Sequence, residues 1–118
     1  VLTEHPDGFL LCMPEPKWHS FSQQFSHAGS ANQWLKRIIL GGACPVQLDS
    51  AKRLLLPVEL REAARIDKLA LLVGVGEYFE IWNPEDFAAL RNKQRALRAA
   101  GVVVQEQNLQ ASLQEVRW

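Results

Sequence analysis

The chain alternates short apolar segments with turn-forming residues, which predicts a mixture of short strands and helices. Residues 1–13 fit two strands around a turn at 5–8, because His-Pro-Asp-Gly combines a fixed proline dihedral with residues that tolerate left-handed backbone. Residues 14–26 carry aromatic side chains at spacings of three and four, which is typical of one face of a helix. The first part of the chain therefore predicts a hairpin followed by a helix.

The rest of the chain continues with similar short elements. A second helix carries the apolar stripe Trp34, Ile38 and Ile39, with Ser30 as a possible N-cap and glycines at its end. The elements predicted after it are strands at 45–49 and 53–56 around a turn at 50–52, a helix at 57–64, strands at 69–73 and 78–82, and a helix at 87–100 that Asn83 and Pro84 introduce.

An internal repeat is suggested by the segment 71–85, which resembles residues 1–15 at an offset of 70. Phe79 then matches Phe9, and both copies have the order strand, turn, strand, helix. Few positions are identical, so a chance resemblance is the alternative. The second copy follows a further strand-turn-strand stretch at 44–70, and we expect its counterpart to precede Val1. Units this small bury little core alone, so the two copies should depend on each other or on another chain.

Specific residues resemble a known family. Residues 47–61 resemble the MraZ signature, which is an Asp-x-x-x-Arg turn followed by apolar residues, proline and Leu-Arg. Residues 71–82 look like the second strand pair of that family, and residues 35–43 resemble the helix that joins its two halves. The similarity covers nearly all of residues 1–100.

The resemblance implies an α+β fold with two AbrB-like swapped-hairpin β units and flanking helices, related by a pseudo-two-fold repeat. The first unit would be incomplete, as in an N-terminally truncated member of the family. Residues 1–42 would then be the remainder of the first repeat with the connecting helices. Residues 43–100 would be the second repeat with its C-terminal helix, and residues 101–118 a tail.

The resemblance also implies a function. Family members are transcriptional regulators that assemble into rings and bind double-stranded DNA at short direct repeats in the promoter of the cell-division and cell-wall gene cluster. The arginine of the turn reaches the DNA, which here is Arg53, and Asp49 shapes the turn. Lys52 stands where the family usually has glycine; it either reshapes the turn, because lysine tolerates positive φ poorly, or adds a phosphate contact. Arg61 is a further candidate, for DNA or for a structural ion pair.

The charge balance limits how DNA binding can arise. Lys and Arg number 13, Asp and Glu also number 13, and the net charge is zero. Because nucleic-acid binders usually show a basic excess, we expect a local basic patch that homo-oligomerisation repeats. Residues 1–6 show no secretory signal, no apolar run is long enough for a membrane span, and Cys12 and Cys44 fit buried thiols in a reducing compartment. These features predict a cytoplasmic protein, and the resemblance implies that it is associated with the nucleoid.

The residues offer little for catalysis. Gly74 and Gly76 lack the third glycine of a dinucleotide fingerprint and fit a hairpin turn. His5, His19 and His27 have no metal-ligand spacing, and no nucleophile–base pair stands out. We therefore expect no enzyme activity, cofactor, metal or small-molecule substrate. The alternative function is an antitoxin-like AbrB-class protein that binds a protein partner through its Gln-rich tail.

Overall fold

The computed structural model describes residues 1–27 and 33–100 and confirms the α+β class. Val1–Pro84 form one compact unit, and a second unit begins at Glu85. The elements in chain order are β1 Leu2–His5, β2 Phe9–Cys12, α1 Glu15–His27, α2 Gln33–Ile39, α3 Val58–Ala63, β3 Leu71–Gly74, β4 Phe79–Trp82 and α4 Pro84–Ala99.

The first unit is built on an antiparallel four-stranded sheet with the strand order β1-β2-β4-β3. Each hairpin supplies one central and one edge strand. The central strands β2 and β4 pair with Leu10 opposite Ile81 and Cys12 opposite Phe79. Because side chains alternate along a strand, these four residues point to one face of the sheet.

That face is the main core. Leu2 and Leu10 are fully buried there, with Ile81 only 2 % exposed, against Leu60 of α3 and Ile66 just beyond it. Burying a leucine completely contributes about 1.5–3 kcal/mol relative to leaving it in water. Helix α3 therefore stabilises the sheet and also fixes the chain that leads into it.

The opposite face is rich in aromatic residues. His5, Phe9 and Trp82 form a row across the sheet, with successive ring centroids 4.3 Å apart. Next to this row, the buried Thr3 hydroxyl donates a hydrogen bond to the Ile39 carbonyl at the end of α2. This bond ties α2 to β1 and satisfies a carbonyl that the helix itself leaves open.

Helix α4 lies in the second unit from Glu85 onward and follows the expected signals at its ends. Pro84 is its first residue, Glu85 and Asp86 lie in its first turn, and Arg98 lies in its last turn. This charge distribution complements the helix dipole.

The predicted helices and both hairpins are present, but the strands predicted at 45–49 and 53–56 were wrong. The chain there makes only isolated bridges, which pair Leu48 with Leu54 and Leu2 with Cys44. Within the described ranges no neighbouring strand extends this ladder, and Leu55 is 86 % exposed. Ser30 and the tail at 101–118 lie outside the described residues.

The repeat is visible in the sheet, with one adjustment. The central strands β2 and β4 run antiparallel, so the two hairpins are related by a two-fold axis perpendicular to the sheet. Such an axis places each residue on the same face of the sheet as its counterpart in the other hairpin. Leu2 then corresponds to Leu72, at an offset of 70, but Leu10 corresponds to Phe79, at an offset of 69. The offset changes after the turn because three residues lie between the paired His5 and Phe9, whereas only two lie between Val75 and Tyr78, which are hydrogen-bonded beyond the end of β3.

Candidate functional site

The Asp-x-x-x-Arg segment folds into a tight turn. Leu48 and Leu54 form the bridge at its base, and the Asp49 amide donates to the Arg53 carbonyl at 2.9 Å. The Lys52 amide donates to the Asp49 carbonyl, also at 2.9 Å, and Lys52 has φ 60°. This is the three-residue hairpin loop in which a left-handed residue closes a type I turn.

The Asp49 carboxylate holds the turn from inside. Its Oδ1 accepts a hydrogen bond from the Ala51 amide at 2.9 Å and another from the Arg53 amide at 2.8 Å. Aspartate suits this position because its short side chain can replace a backbone acceptor in a turn. The arrangement fixes the backbone on both sides of Lys52.

The same carboxylate orients the arginine. Arg53 Nε donates to Asp49 Oδ2 at 3.1 Å, and the side chain of Arg53 is 79 % exposed. An ion pair this exposed adds little stability, typically about 0–1 kcal/mol. Its consequence is geometric, because the bond to Nε orients the planar guanidinium of Arg53, which projects from the turn.

Lys52 adopts a left-handed backbone, the conformation in which glycine is usual. The turn is therefore retained with a lysine, at a cost of about 1–2 kcal/mol for a residue with a Cβ. Lys52 is exposed and adjacent to Arg53, so the turn presents two positive charges beside one carboxylate.

Arg61 lies apart from this turn in the sequence, in the last turn of α3, and its side chain is exposed. It makes no ion pair with any residue in the ranges 1–27 and 33–100. The structure therefore brings Asp49, Lys52 and Arg53 together in one turn and leaves Arg61 on the helix that follows.

Arg65 is a basic residue that the sequence did not single out. It has φ 58° and follows Ala64, the C-cap of α3; here Ile66 donates to the Arg61 carbonyl at 2.9 Å and Arg65 to the Glu62 carbonyl at 3.0 Å. This is a Schellman helix end, in which glycine is usual. Because an arginine stands where a glycine would mark this helix end, the sequence carries no signal for it.

The cysteines are free thiols. Cys12 and Cys44 flank Leu2 on opposite sides in the sheet. Strands are spaced about 4.8 Å apart, so the two Cα atoms are separated by about twice that distance, beyond disulfide reach. Burial raises the pKa of the Cys12 thiol, and the nearby N-terminal ammonium partly opposes this shift.

No group of three or more His, Cys, Asp or Glu side chains in residues 1–27 and 33–100 is placed to hold a metal ion. Across the same residues, no helix has the length and apolar character needed to cross a membrane.

Comparison with known proteins gives consistent matches. Residues 39–102 match the family model described as "MraZ protein, putative antitoxin-like". The chain is 46% identical over 89 residues to the transcriptional regulator MraZ of Cupriavidus pinatubonensis, covering 75% of this chain and 63% of that protein. It is 39% identical over 102 residues to the transcriptional regulator MraZ of Ralstonia pickettii, covering 86% of this chain and 70% of that protein. The chain thus spans less than two thirds of the length of the first of these relatives.

Proposed function

Since the chain belongs to the MraZ family, we propose that it is a DNA-binding transcriptional regulator that contacts DNA through the Asp49–Arg53 turn. The curated relatives carry the name of a regulator and not of an enzyme, which supports this class. The observation that carries the proposal is the exposed Arg53 guanidinium, which projects from a turn braced by Asp49.

The turn has the parts that a groove contact needs. A turn between two chain segments can enter the major groove in the manner of a β-ribbon. The guanidinium of Arg53 matches the two acceptors on a guanine edge, whereas the Lys52 ammonium suits a phosphate oxygen as a point charge. Arg61 is proposed as an additional contact to the phosphate backbone of the DNA.

The zero net charge requires that several turns act together. One turn neutralises few phosphates, so its affinity alone is low. We propose a ring of chains that engages direct repeats in the promoter of the cell-division and cell-wall gene cluster, at the nucleoid in the cytoplasm. Linking several weak contacts raises the apparent affinity through effective concentration. In this proposal residues 43–100 form the DNA-contacting repeat and residues 1–42 support it.

Fluorescence anisotropy on a duplex with tandem promoter repeats tests the proposal. Arg53→Ala should weaken binding by about 10- to 100-fold, corresponding to roughly 1–3 kcal/mol for a bidentate base contact. Lys52→Ala should lower the slope of log affinity against log salt by about 0.9 for each bound turn, because each altered turn releases one fewer counterion. Arg37→Ala, which removes the same charge from the exposed side of α2, is the matched control and should bind like the parent.

Two outcomes would contradict the proposal. Equal affinities for Arg53→Ala and Arg37→Ala would show that the turn makes no specific contact. A failure of the intact chain to bind the duplex at low salt would favour the antitoxin-like alternative, in which the partner is a protein.

A further inference from the structure

A cavity lies between helix α1 and the sheet, on the sheet face opposite the main core. Its volume is about 570 Å³. The described residues that line it come from the first hairpin, α1, α2 and the chain at β4, all of which belong to the first unit. The volume falls within the range of about 300–1,000 Å³ that is typical of small-molecule sites.

Apolar and aromatic side chains form most of the lining. Phe9, Leu11 and Met13 alternate with the core residues of β2 and are at most 7 % exposed, so they make a closed floor. Phe21 and Phe25 form a wall on α1, with nearly parallel rings whose centroids are 5.6 Å apart. No residue of α1 is buried, so its aromatic face borders the cavity without filling it. Such walls suit a flat apolar body.

Glu80 places a carboxylate on this otherwise apolar face. It is half-buried, and it lies opposite Leu11 where β2 and β4 pair. Its Oε1 accepts a hydrogen bond from Trp82 Nε1 at 2.9 Å. No cation in residues 1–27 and 33–100 forms an ion pair with Glu80. Its second oxygen, Oε2, is therefore available to a donor that enters the cavity.

The other charged groups that line the cavity do not offset this carboxylate. Lys17 is already paired with Glu77, at 3.0 Å between Nζ and Oε2. His5 Nδ1 accepts a hydrogen bond from the Asp7 amide at 3.0 Å, which requires a neutral ring. Asp7 adds a second carboxylate to the lining. The polar part of the cavity thus carries excess negative charge, which is complementary to a cation.

We propose that this cavity binds a small organic cation with a flat apolar body, of the arylalkylamine class. The aromatic body packs between the α1 wall at Phe21 and the floor at Leu11. The ammonium group donates to Glu80 Oε2, and a hydrogen bond between two charged groups is stronger than a neutral one. Both halves of the molecule are needed, because the floor binds the body and the carboxylate selects the charge.

The cavity is separate from the main core and from the proposed DNA contact. The two-fold axis that relates the hairpins keeps a counterpart of α3 on the face that α3 covers, which is the other side of the sheet. The Asp49–Arg53 turn contributes none of the lining residues described. Binding is measured without DNA, so a negative result here would leave the proposed function standing.

Isothermal titration calorimetry with three probes of one shape tests the charge preference. The probes are para-phenylbenzylamine, a cation at neutral pH, para-phenylbenzyl alcohol, which is neutral, and para-phenylbenzoate, an anion. The amine should bind most tightly, the alcohol about 10-fold more weakly, and the benzoate more weakly still, because the charged hydrogen bond is lost and then replaced by repulsion. Equal affinities for amine and benzoate, or no binding of the amine, would overturn the proposal.

Variants of the chain assign the two contacts. Glu80→Gln keeps an acceptor for Trp82 and removes the charge, so it should weaken the amine by about 10-fold and leave the alcohol at its parent affinity. Glu59→Gln removes the same charge from α3 on the other face and should bind every probe like the parent. Phe21→Ala should weaken all three probes. Far-UV circular dichroism checks that each variant folds.

The indole N–H signals in a two-dimensional NMR spectrum locate the bound amine. The Trp82 signal, identified by its loss in Trp82→Phe, should shift on addition of the amine because its acceptor Glu80 then shares its charge. The signal of Trp34, which is 63 % exposed on α2 and does not line the cavity, should stay in place. Unchanged amine affinity in Glu80→Gln, or a shift at Trp34 without one at Trp82, would refute binding at this cavity.

Discussion

Replacing Asp49 should separate the hydrogen bonds that build the turn from the charge that faces Arg53. In Asp49→Ala the Ala51 and Arg53 amides lose their common acceptor, and the guanidinium loses its partner. In Asp49→Asn a side-chain carbonyl can still accept from both amides while the charge is lost. We therefore expect alanine to destabilise the protein more than asparagine.

The expected difference can be worked from these contacts. A hydrogen bond of this kind contributes about 0.5–1.5 kcal/mol net, and the lower part of that range applies where water can replace the acceptor. Two such bonds give about 1–1.5 kcal/mol, which is the amount by which Asp49→Ala should be less stable than Asp49→Asn. Asp49→Asn loses an exposed ion pair worth roughly 0–1 kcal/mol and keeps the amide bonds.

Urea unfolding at neutral pH measures this difference. With a slope of about 1–3 kcal/mol per molar urea, a loss of 1 kcal/mol lowers the midpoint by roughly 0.3–1 M. Equal losses for alanine and asparagine would show that the charge, and not the pair of amide bonds, holds the turn. An unchanged midpoint for Asp49→Ala would refute the reasoning, because the backbone alone would then maintain the turn.

Three further changes follow from the structure. Lys52→Gly should raise the free energy of unfolding by about 0.5–1 kcal/mol, and with it the urea midpoint, because relief of the left-handed strain exceeds the added entropy of the unfolded glycine; Lys52→Ala should give no such gain. Thr3→Val should cost about 1–3 kcal/mol in the same assay by leaving the Ile39 carbonyl buried without its donor, whereas Thr3→Ser should cost less. Because burial raises the pKa of Cys12, its contribution to stability is complete below the ordinary thiol pKa and is lost as pH rises through the folded value; Cys12→Ala should flatten the alkaline fall of the midpoint.

The elements that the sequence predicted well are those that local signals determine. The aromatic spacing in residues 14–26 and the turn residues at 5–8 are signals between residues close together in the chain. They therefore predicted α1 and the first hairpin. The strands predicted at 45–49 and 53–56 depend on pairing with distant residues. A period-two pattern shows which side chains could be buried but does not supply the neighbouring strand.

The candidate site also has features that could be predicted from the sequence and features that could not. The DNA-contacting role predicted for Arg53 came from the resemblance to a family. An arginine four residues after an aspartate is common in exposed turns and would not predict that role alone. The two amide bonds to Asp49 Oδ1 and the left-handed Lys52 are properties of the folded turn. Lysine carries no sequence signal for positive φ, so only the structure shows that it takes the place of glycine.

Leu2 and Leu72 show why edge exposure is the hardest property to predict. They have the same residue type, the same place in the repeat and the same strand alternation, yet one is fully buried and the other is largely exposed. The difference comes from a segment more than 40 residues from Leu2 in the chain, which bonds to one edge and not to the other. An apolar pattern therefore reports what a strand can bury, and the topology decides whether the same chain supplies the cover.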